Sequence, residues 1–242
     1  MKARCHRKQK TTKPKDMKIT YAIISKTGRR SKNEDYVRVI DKQDESRWFG
    51  VVCDGMGGHA CGEVASETIG NAVCDYWERV SEEDLMDKAR KACRSASAKL
   101  DARANEMRHI QTGTTLVMAS IEGNIITITH CGDSRCYLMR DGDWVYQTKD
   151  HVGNSFGWEI VTKCFFTYKP EAAVPDIAQF EIKPGDRILL CSDGLYKSMP
   201  PEILKARLMD DKTPEEILDV YDFLCEKNGD DNYTGILVEI KV

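Results

Sequence analysis

The sequence predicts an α+β fold, a four-layer α-β-β-α sandwich in which helices flank two stacked, mainly antiparallel sheets. Strands come first, followed by two helices, a long run of strands, a helix and a last strand. This order lacks the strand–helix–strand alternation of a parallel sheet, so antiparallel sheets are expected. At least eight strands are predicted, which is more than one half-covered sheet holds comfortably, so two packed sheets with outer helices are expected.

The strands are predicted from alternating apolar and polar residues bounded by turn residues. Outside hairpins, the predicted strands cover residues 17–24, 36–40, 48–53, 187–192 and 234–242. Two hairpins are also predicted, one joining 114–121 to 124–131 and one joining 136–140 to 143–147. Their turns are Glu122-Gly123 and Asp141-Gly142, in which glycine supplies the positive φ that a two-residue turn needs.

Three helices are predicted from apolar residues at helical spacing. Two of them, at residues 62–77 and 83–107, are expected to pair with each other. The third begins at the capping box Thr213-Pro214-Glu215-Glu216, which has proline at the first helical position. It is predicted to run to about Lys227 and to stop at Gly229.

Length and charge limit the classes of function. The chain has 242 residues and a hydrophobic content of 41%, enough for a substantial core. Its net charge of −3 argues against a dedicated nucleic-acid-binding protein. Residues 1–16 hold seven Lys and Arg but one acid, and we expect a solvated basic extension with little order. Residues 17–242 then form the folded domain, whose surplus of carboxylates suits cation binding.

The ten cysteines form no CxxC pair and show no zinc-ligand spacing. Cys53, Cys131 and Cys191 lie in apolar, strand-like runs, so we expect buried free thiols in a reducing compartment. No apolar run approaches the roughly 18 residues of a membrane span. The N-terminus also lacks the apolar region of a secretory signal. A cytoplasmic location without membrane contact is therefore predicted.

Acidic residues recur at the ends of predicted strands, beside small turn-forming residues. These clusters are Asn33-Glu34-Asp35, Asp54-Gly55, Gly132-Asp133-Ser134, Ser192-Asp193-Gly194 and Asp230-Asp231-Asn232. Each one alone is compatible with an ordinary turn. Carboxylates that converge repel one another, and a divalent cation relieves that repulsion. Oxygen ligands without imidazole or thiolate favour Mg²⁺ or Mn²⁺ over zinc.

Three neighbouring features leave alternatives open. The glycine-rich stretch 55–58 follows a strand, but it lacks the known phosphate-binding patterns and an acid precedes it, so we interpret it as a metal loop. Arg29 and Arg30 are either surface arginines or phosphate ligands. His59 is either a loop histidine, a general acid or a metal ligand.

Taken in order, these motifs resemble the metal-dependent protein phosphatase family, also called protein phosphatase 2C, in its bacterial form. The matching stretches are residues 28–35, 51–59, 113–115, 132–135, 150–151, 184–186, 192–195 and 231–234. The resemblance covers roughly residues 17–242 and implies a β-sandwich flanked by helices, with metals in a cleft at one end. Residues 17–242 are accordingly assigned as a metal-dependent phosphatase domain.

The resemblance implies a ligand for each metal. By position, Asp54 bridges two cations, and Asp193 and Asp231 complete the site of one. The carbonyl of Gly55, with Glu34 directly or through water, holds the other.

The resemblance also implies the reaction. Asp133 and Asp193 match positions that hold a third, weaker metal, so two to three Mn²⁺ or Mg²⁺ ions are expected. Arg30 matches the arginine that grips the substrate phosphate. A hydroxide that bridges two metals attacks phosphoserine or phosphothreonine in line, without a covalent phosphoenzyme. The catalytic residues are then Arg30, Asp54, Asp193 and Asp231.

One residue and one segment depart from the family pattern. Animal members have a histidine after the Asp-Gly pair, thought to protonate the leaving group, and this chain has Met56 there. A metal-bound water would then have to serve as the acid. The stretch from His151 to Phe180 is also short, with the mobile flap beside the site reduced to about residues 154–165.

Two other functions remain alternatives to a protein phosphatase. One is a pseudophosphatase that binds phosphoproteins as a regulatory module, which would be expected to have lost metal ligands. The other is a phosphatase of a small phosphorylated metabolite. For the active protein phosphatase, the expected partners are phosphorylated proteins and a cognate Ser/Thr kinase, and a monomer without nucleic acid is expected.

Overall fold

Five α-helices, two short 3-10 helices (Gln43–Glu45 and Pro170–Ala172) and fourteen strands form the regular structure of residues 17–56, 61–81 and 84–241, the ranges that the computed structural model describes. The helices are α1 (Gly62–Arg79), α2 (Leu85–Glu106), α3 (Asp193–Tyr196), α4 (Pro201–Leu208) and α5 (Pro214–Asn228). The strands are β1 (Lys18–Lys26), β2 (Asp35–Lys42), β3 (Arg47–Met56), β4 (Gly113–Thr114), β5 (Leu116–Glu122), β6 (Ile125–Cys131), β7 (Arg135–Arg140), β8 (Asp143–Gln147), β9 (Val152–Ser155), β10 (Trp158–Val161), β11 (Phe165–Phe166), β12 (Asp176–Glu181), β13 (Arg187–Cys191) and β14 (Tyr233–Lys241).

The strands form two large antiparallel sheets. One sheet has the order β1-β14-β13-β7-β8. The other has the order β11-β4-β3-β5-β6-β12, and β2 pairs with β3. The separate hairpin β9–β10 lies in the segment that the sequence predicts to be a shortened flap.

Three apolar cores separate four layers. Side chains of β3 such as Phe49 and Val51 pack with α1 and α2 on the outer face of one sheet. Leu189 and Leu237 pack with α4 and α5 on the outer face of the other. The core between the sheets contains Trp48 and further buried side chains from both. The predicted α-β-β-α sandwich is therefore confirmed.

Strand β13 shows why a central strand has a continuous apolar run in its sequence. Ile188 and Leu190 belong to the core between the sheets, while Leu189 and Cys191 face the helical layer. Because both faces of the strand are buried, the apolar pattern does not alternate. The run ends at Ser192, where the chain turns into α3.

Most predicted elements are found within a few residues of their expected bounds. The capping box at Thr213 is present in full, and α5 ends before Gly229. The Asp141-Gly142 turn is present with positive φ at both residues. The other hairpin differs, because Glu122 pairs with Ile125 and the turn lies at residues 123–124. The predicted strand 114–121 is also interrupted at Thr115, whose amide bonds to Asp54 instead of continuing the ladder.

Several elements are missing from the prediction, namely α3, α4 and β9 to β12. They are short, and most lie at sheet edges or in the separate hairpin, so their exposed faces carry little periodic signal. The nine cysteines of the described ranges are free, and most are buried, as expected. No helix in those ranges qualifies as a membrane span; even α2, with 22 residues, is too highly charged. The basic extension at residues 1–16 lies outside the described residues, as do Gly57, Gly58 and His59.

We predict that Leu190→Ala lowers the free energy of unfolding by about 2–5 kcal/mol, because it opens a cavity between the two sheets. Urea denaturation followed by circular dichroism measures the loss. Phe223→Ala on α5 is the control, since that side chain is 63% exposed and should change stability by less than about 0.5 kcal/mol. Equal losses in the two variants would contradict the described core.

Candidate active site

All the predicted site residues line one cleft of about 490 Å³. They are Arg30, Glu34, Asp54, Gly55, Asp133, Asp193 and Asp231. The cleft lies at one end of the sandwich. In an antiparallel pair the end of one strand lies beside the start of its neighbour, so residues far apart in the chain meet there. The end of β3 meets the start of β2, and the end of β13 meets the starts of β7 and β14.

The backbone of Asp54 is held by two hydrogen bonds with Thr115. Its amide donates to the hydroxyl of Thr115 at 3.1 Å, and the amide of Thr115 donates to its carbonyl at 2.9 Å. In the β2–β3 register Asp35 lies directly opposite Asp54. The hydroxyl of Ser192 donates to Asp35 at 2.8 Å and so links the two sheets at this point.

Gly55 and Gly62 allow a close approach that no side chain would permit. A Cβ atom at Gly55 would collide with the backbone carbonyls of Gly62 and Glu34. A Cβ atom at Gly62 would lie 2.8 Å from both Glu34 Oε2 and the Gly55 carbonyl oxygen. These two oxygens, both predicted metal ligands, therefore face the same point in the cleft.

The second close approach brings α3 against the residue that precedes β14. A Cβ atom at Gly194 would collide with the backbone carbonyl of Asn232. The Asn232 side chain donates to the carbonyls of Thr27 and Lys32, both at 2.8 Å, and accepts from the Glu34 amide at 2.9 Å. Asn232 therefore holds the loop that carries Arg30 and Glu34 against the start of β14.

The crowded carboxylates show the electrostatic cost of the site. Burial raises the pKa of Asp54 well above its usual range, and the charges of Asp35, Asp193 and Asp133 raise it further. Burial also raises the pKa of Asp35 to about 7 against the hydrogen bonds that lower it. Burial and the charge of Asp193 raise the pKa of Asp133. A divalent cation is the group that would offset this repulsion.

Two basic side chains already contact predicted ligands. Arg30 Nη2 lies 2.9 Å from Asp231 Oδ2, and its guanidinium is at the rim of the cleft. Lys197 Nζ lies 2.7 Å from Asp193 Oδ2 and 3.7 Å from Asp133 Oδ2. Burial opposes the charge of Lys197, but the hydrogen bond and charge of Asp193 outweigh it and raise the pKa of the ammonium.

The donor set fits divalent cations. Glu34, the Gly55 carbonyl, Asp54, Asp193 and Asp231 are all oxygen donors, as Mg²⁺ and Mn²⁺ require. The space between Asp133 and Asp193, where the sequence predicts a third cation, instead receives the ammonium of Lys197.

Another group of potential ligands consists of His130, His151 and Asp176, whose ligand atoms lie within 4.8 Å of one another. His151 Nδ1 accepts a hydrogen bond from the Gly132 amide, so Nε2 carries the proton and faces Asp176 at 3.2 Å. Lys163 Nζ is also 3.0 Å from Asp176. This group is therefore an ion-paired network in which the Nε2 lone pair of His151 is not free for a metal.

Sequence reasoning named Asp35 and Asn232 within acidic clusters but gave them no role, and it missed Lys197. The signal for Asp35 was its place beside Glu34 at the start of a strand, opposite Asp54 in the hairpin register. Lys197 lies four residues after Asp193, a spacing that shares a face only if a helical turn forms there, and α3 was not predicted. Met56 lines the cleft as expected, and Val161 of β10 borders it from the hairpin.

A family model described as protein phosphatase 2C matches residues 24–226. The chain belongs to the protein phosphatase 2C family. This membership confirms the family resemblance drawn from the motifs, and the match includes every predicted site residue except Asp231.

Curated relatives and a solved structure agree with this family. The serine/threonine phosphatase stp of Listeria monocytogenes is 30% identical over 232 residues, which is 87% of this chain and 91% of that protein. The serine/threonine protein phosphatase PstP of Mycobacterium tuberculosis is 30% identical over 208 residues, or 78% of this chain. This chain spans only 40% of the length of that PstP. A crystal structure of the PstP catalytic domain in complex with two manganese ions superposes with a TM-score of 0.80 at 28% identity, covering 94% of this chain and 100% of that one.

We predict that Asp54→Asn stabilises this phosphatase 2C family member when metal is removed with EDTA. A raised carboxyl pKa adds stability at low pH, and this stability is lost as the pH rises through the folded-state value. Near pH 7.5 the variant should unfold about 4 °C or more above the wild type, since one kcal/mol is worth about 2–4 °C in a chain of this size. The difference should shrink as the pH falls, and the two melting temperatures should converge near pH 4, at the ordinary pKa of an aspartate.

Differential scanning calorimetry at both pH values measures this effect. The control is Asp219→Asn, which changes an exposed carboxylate on α5. A lower melting temperature for Asp54→Asn at pH 7.5 in EDTA would show that the buried carboxylates do not repel as described.

Proposed function

We propose that this chain is a metal-dependent phosphatase that hydrolyses phosphoserine and phosphothreonine in proteins. The proposal rests on one observation: oxygen ligands from separate strand ends of both sheets line a single cleft that also contains an arginine. The names of the Listeria and mycobacterial relatives, both serine/threonine phosphatases, support the same activity. We assign the domain to residues 17–242.

In this proposal the carboxylates divide between two Mn²⁺ or Mg²⁺ ions. Asp54 contributes to both, Asp193 and Asp231 complete one site, and Glu34 with the Gly55 carbonyl completes the other. The two manganese ions of the PstP catalytic domain support this number. When bound, such ions activate water near neutral pH and offset the charge of phosphoryl oxygens.

Arg30 binds the substrate phosphate. Its guanidinium lies at the rim with a side chain 57% exposed, so it can reach an incoming phosphoryl group. In the absence of substrate it holds Asp231 at 2.9 Å and the Asp230 carbonyl at 3.2 Å. The planar guanidinium matches two phosphoryl oxygens at once, which orients the phosphorus for in-line attack.

The lining of the cleft favours phosphorylated proteins over small metabolites. Sites for small molecules are mostly apolar and enclose their ligand. This open cleft is lined mainly by carboxylates together with Arg30 and Lys32. The complete set of metal ligands argues against the pseudophosphatase alternative.

We also propose a cytoplasmic monomer whose substrates are produced by a serine/threonine kinase. Every proposed ligand comes from one chain, so a second copy is not needed to complete the site. Buried free thiols such as Cys53 and Cys191 suit a reducing compartment.

Activity tests the proposal directly. With Mn²⁺, the wild type should hydrolyse p-nitrophenyl phosphate and a phosphothreonine peptide, and EDTA should abolish both reactions. Asp193→Asn should lower kcat at least about 100-fold, because it removes a charged ligand from one cation. Asp219→Asn, distant from the cleft, should retain full activity.

Three other outcomes of this assay would contradict the proposal. An unchanged rate in Asp193→Asn would show that the metal assignment is wrong. A wild type without turnover of either substrate would favour the pseudophosphatase, and turnover of phosphorylated metabolites without the peptide would favour a metabolite phosphatase.

Arg30→Ala should raise KM for the phosphothreonine peptide about 10-fold or more, because it removes charge-assisted hydrogen bonds worth about 1.5–3 kcal/mol. Steady-state kinetics measures this change. Arg29→Ala is the matched control, since Arg29 donates to the carbonyls of Glu226 and Lys227 at the end of α5. If both variants raise KM equally, the effect belongs to the loop and not to phosphate binding.

A further inference from the structure

Lys197 stands between two carboxylates that would otherwise form a cation site. Its Nζ lies 2.7 Å from Asp193 Oδ2, a short charge-assisted hydrogen bond, and 3.7 Å from Asp133 Oδ2. Asp133 precedes β7 and Asp193 follows β13, so the ammonium links the start of one strand to the end of the other.

The position of Lys197 results from the one-turn helix α3. The Lys197 amide donates to the Asp193 carbonyl at 2.9 Å, which places residues 193 and 197 on the same face. The lysine side chain is 49% exposed and the Asp193 side chain 20% exposed, so the pair lies where solvent meets the cleft.

The residue before Lys197 fixes this turn against the other acid. The hydroxyl of Tyr196 donates to the Asp133 carbonyl at 3.2 Å. The guanidinium of Arg135 stacks 3.7 Å above the Tyr196 ring. Arg135 is in turn held by Asp150 at 2.7 Å. The backbone that carries Lys197 is therefore tied directly to the backbone that carries Asp133.

We propose that the ammonium of Lys197 takes the place of a third cation, so that this chain binds two divalent ions and no third. The inference rests on the proposed function, since it concerns the same site. It differs from the expectation from the sequence, in which Asp133 and Asp193 hold a third metal.

The physical reason is competition for the same oxygens and direct repulsion. A Mg²⁺ or Mn²⁺ ion about 2.0–2.2 Å from Asp193 Oδ2 would lie within about 5 Å of the ammonium nitrogen. Like charges at that separation repel, and Lys197 already donates to this oxygen. A lysine also supplies its charge at every metal concentration, because it is part of the chain.

In this role Lys197 is a positioning residue. It donates to Asp193 Oδ2 and so fixes the orientation of that carboxylate. Loss of the charge should free both carboxylates for a further ion.

The number of bound Mn²⁺ ions tests the proposal without relying on activity. Purified full-length protein is dialysed against Mn²⁺ up to millimolar concentrations, and bound metal is counted by electron paramagnetic resonance of the free ion. The wild type should saturate at two ions. Lys197→Met, which keeps the chain length but removes the charge, should bind a third, weaker ion.

Two variants serve as controls. Lys197→Arg keeps the positive charge and should restore saturation at two ions. Lys205→Met removes a lysine of α4 that pairs with Asp143 at 3.5 Å, and it should also bind two. Circular dichroism checks that each variant is folded, and Lys197→Gln replaces Lys197→Met if the latter does not fold.

Three ions on the wild type, or two ions on folded Lys197→Met, would overturn the proposal. The first of these outcomes is decided by the number of Mn²⁺ ions bound to the wild type alone. Fewer than two ions on the wild type would overturn it together with the metal-dependent function. Two ions without turnover of any phosphate ester would contradict the proposed function and leave the role of Lys197 standing.

Discussion

Mutual repulsion among carboxylates at one end of the sandwich is the constraint on which the site depends. Asp35, Asp54 and Asp133 all have raised pKa values because burial and neighbouring charges disfavour their ionised forms. Such an arrangement persists only where the surrounding fold is stable enough to hold it. Here the core between the sheets provides that stability, since its central side chains are buried on strands that end at the cleft.

The convergence is produced by close backbone contacts as much as by the strands. Gly55 and Gly62 bring two oxygens to one point, and Gly194 lets α3 approach Asn232. Asn232 then joins the loop of Arg30 and Glu34 to β14 through three hydrogen bonds. Gly62, Gly194 and Asn232 are not proposed as ligands themselves, yet each decides where a proposed ligand oxygen lies. A second layer of this kind is what a metal site needs to keep its geometry.

Charge compensation in the cleft comes from the chain as well as from metal ions. Arg30 contacts Asp231, and Lys197 contacts Asp193 and Asp133. The two side chains differ in how firmly they are held. Arg30 is at the rim and can exchange Asp231 for a phosphate, whereas Lys197 is held on a turn whose neighbour Tyr196 is fixed. One basic residue therefore suits substrate binding, and the other suits permanent neutralisation.

The sequence by itself determined the fold class, most strand and helix positions, the family and the acidic residues of the site. It could do so because buried strands and capped helices have local signals, and because glycine beside aspartate marks a tight turn at a strand end. Only the tertiary structure decided which oxygens face one another, that Asp35 lies opposite Asp54, and that the ammonium of Lys197 lies between Asp193 and Asp133. These facts depend on strand register and on the unpredicted turn α3, where residues far apart in the chain meet and local patterns carry no information about the pairing.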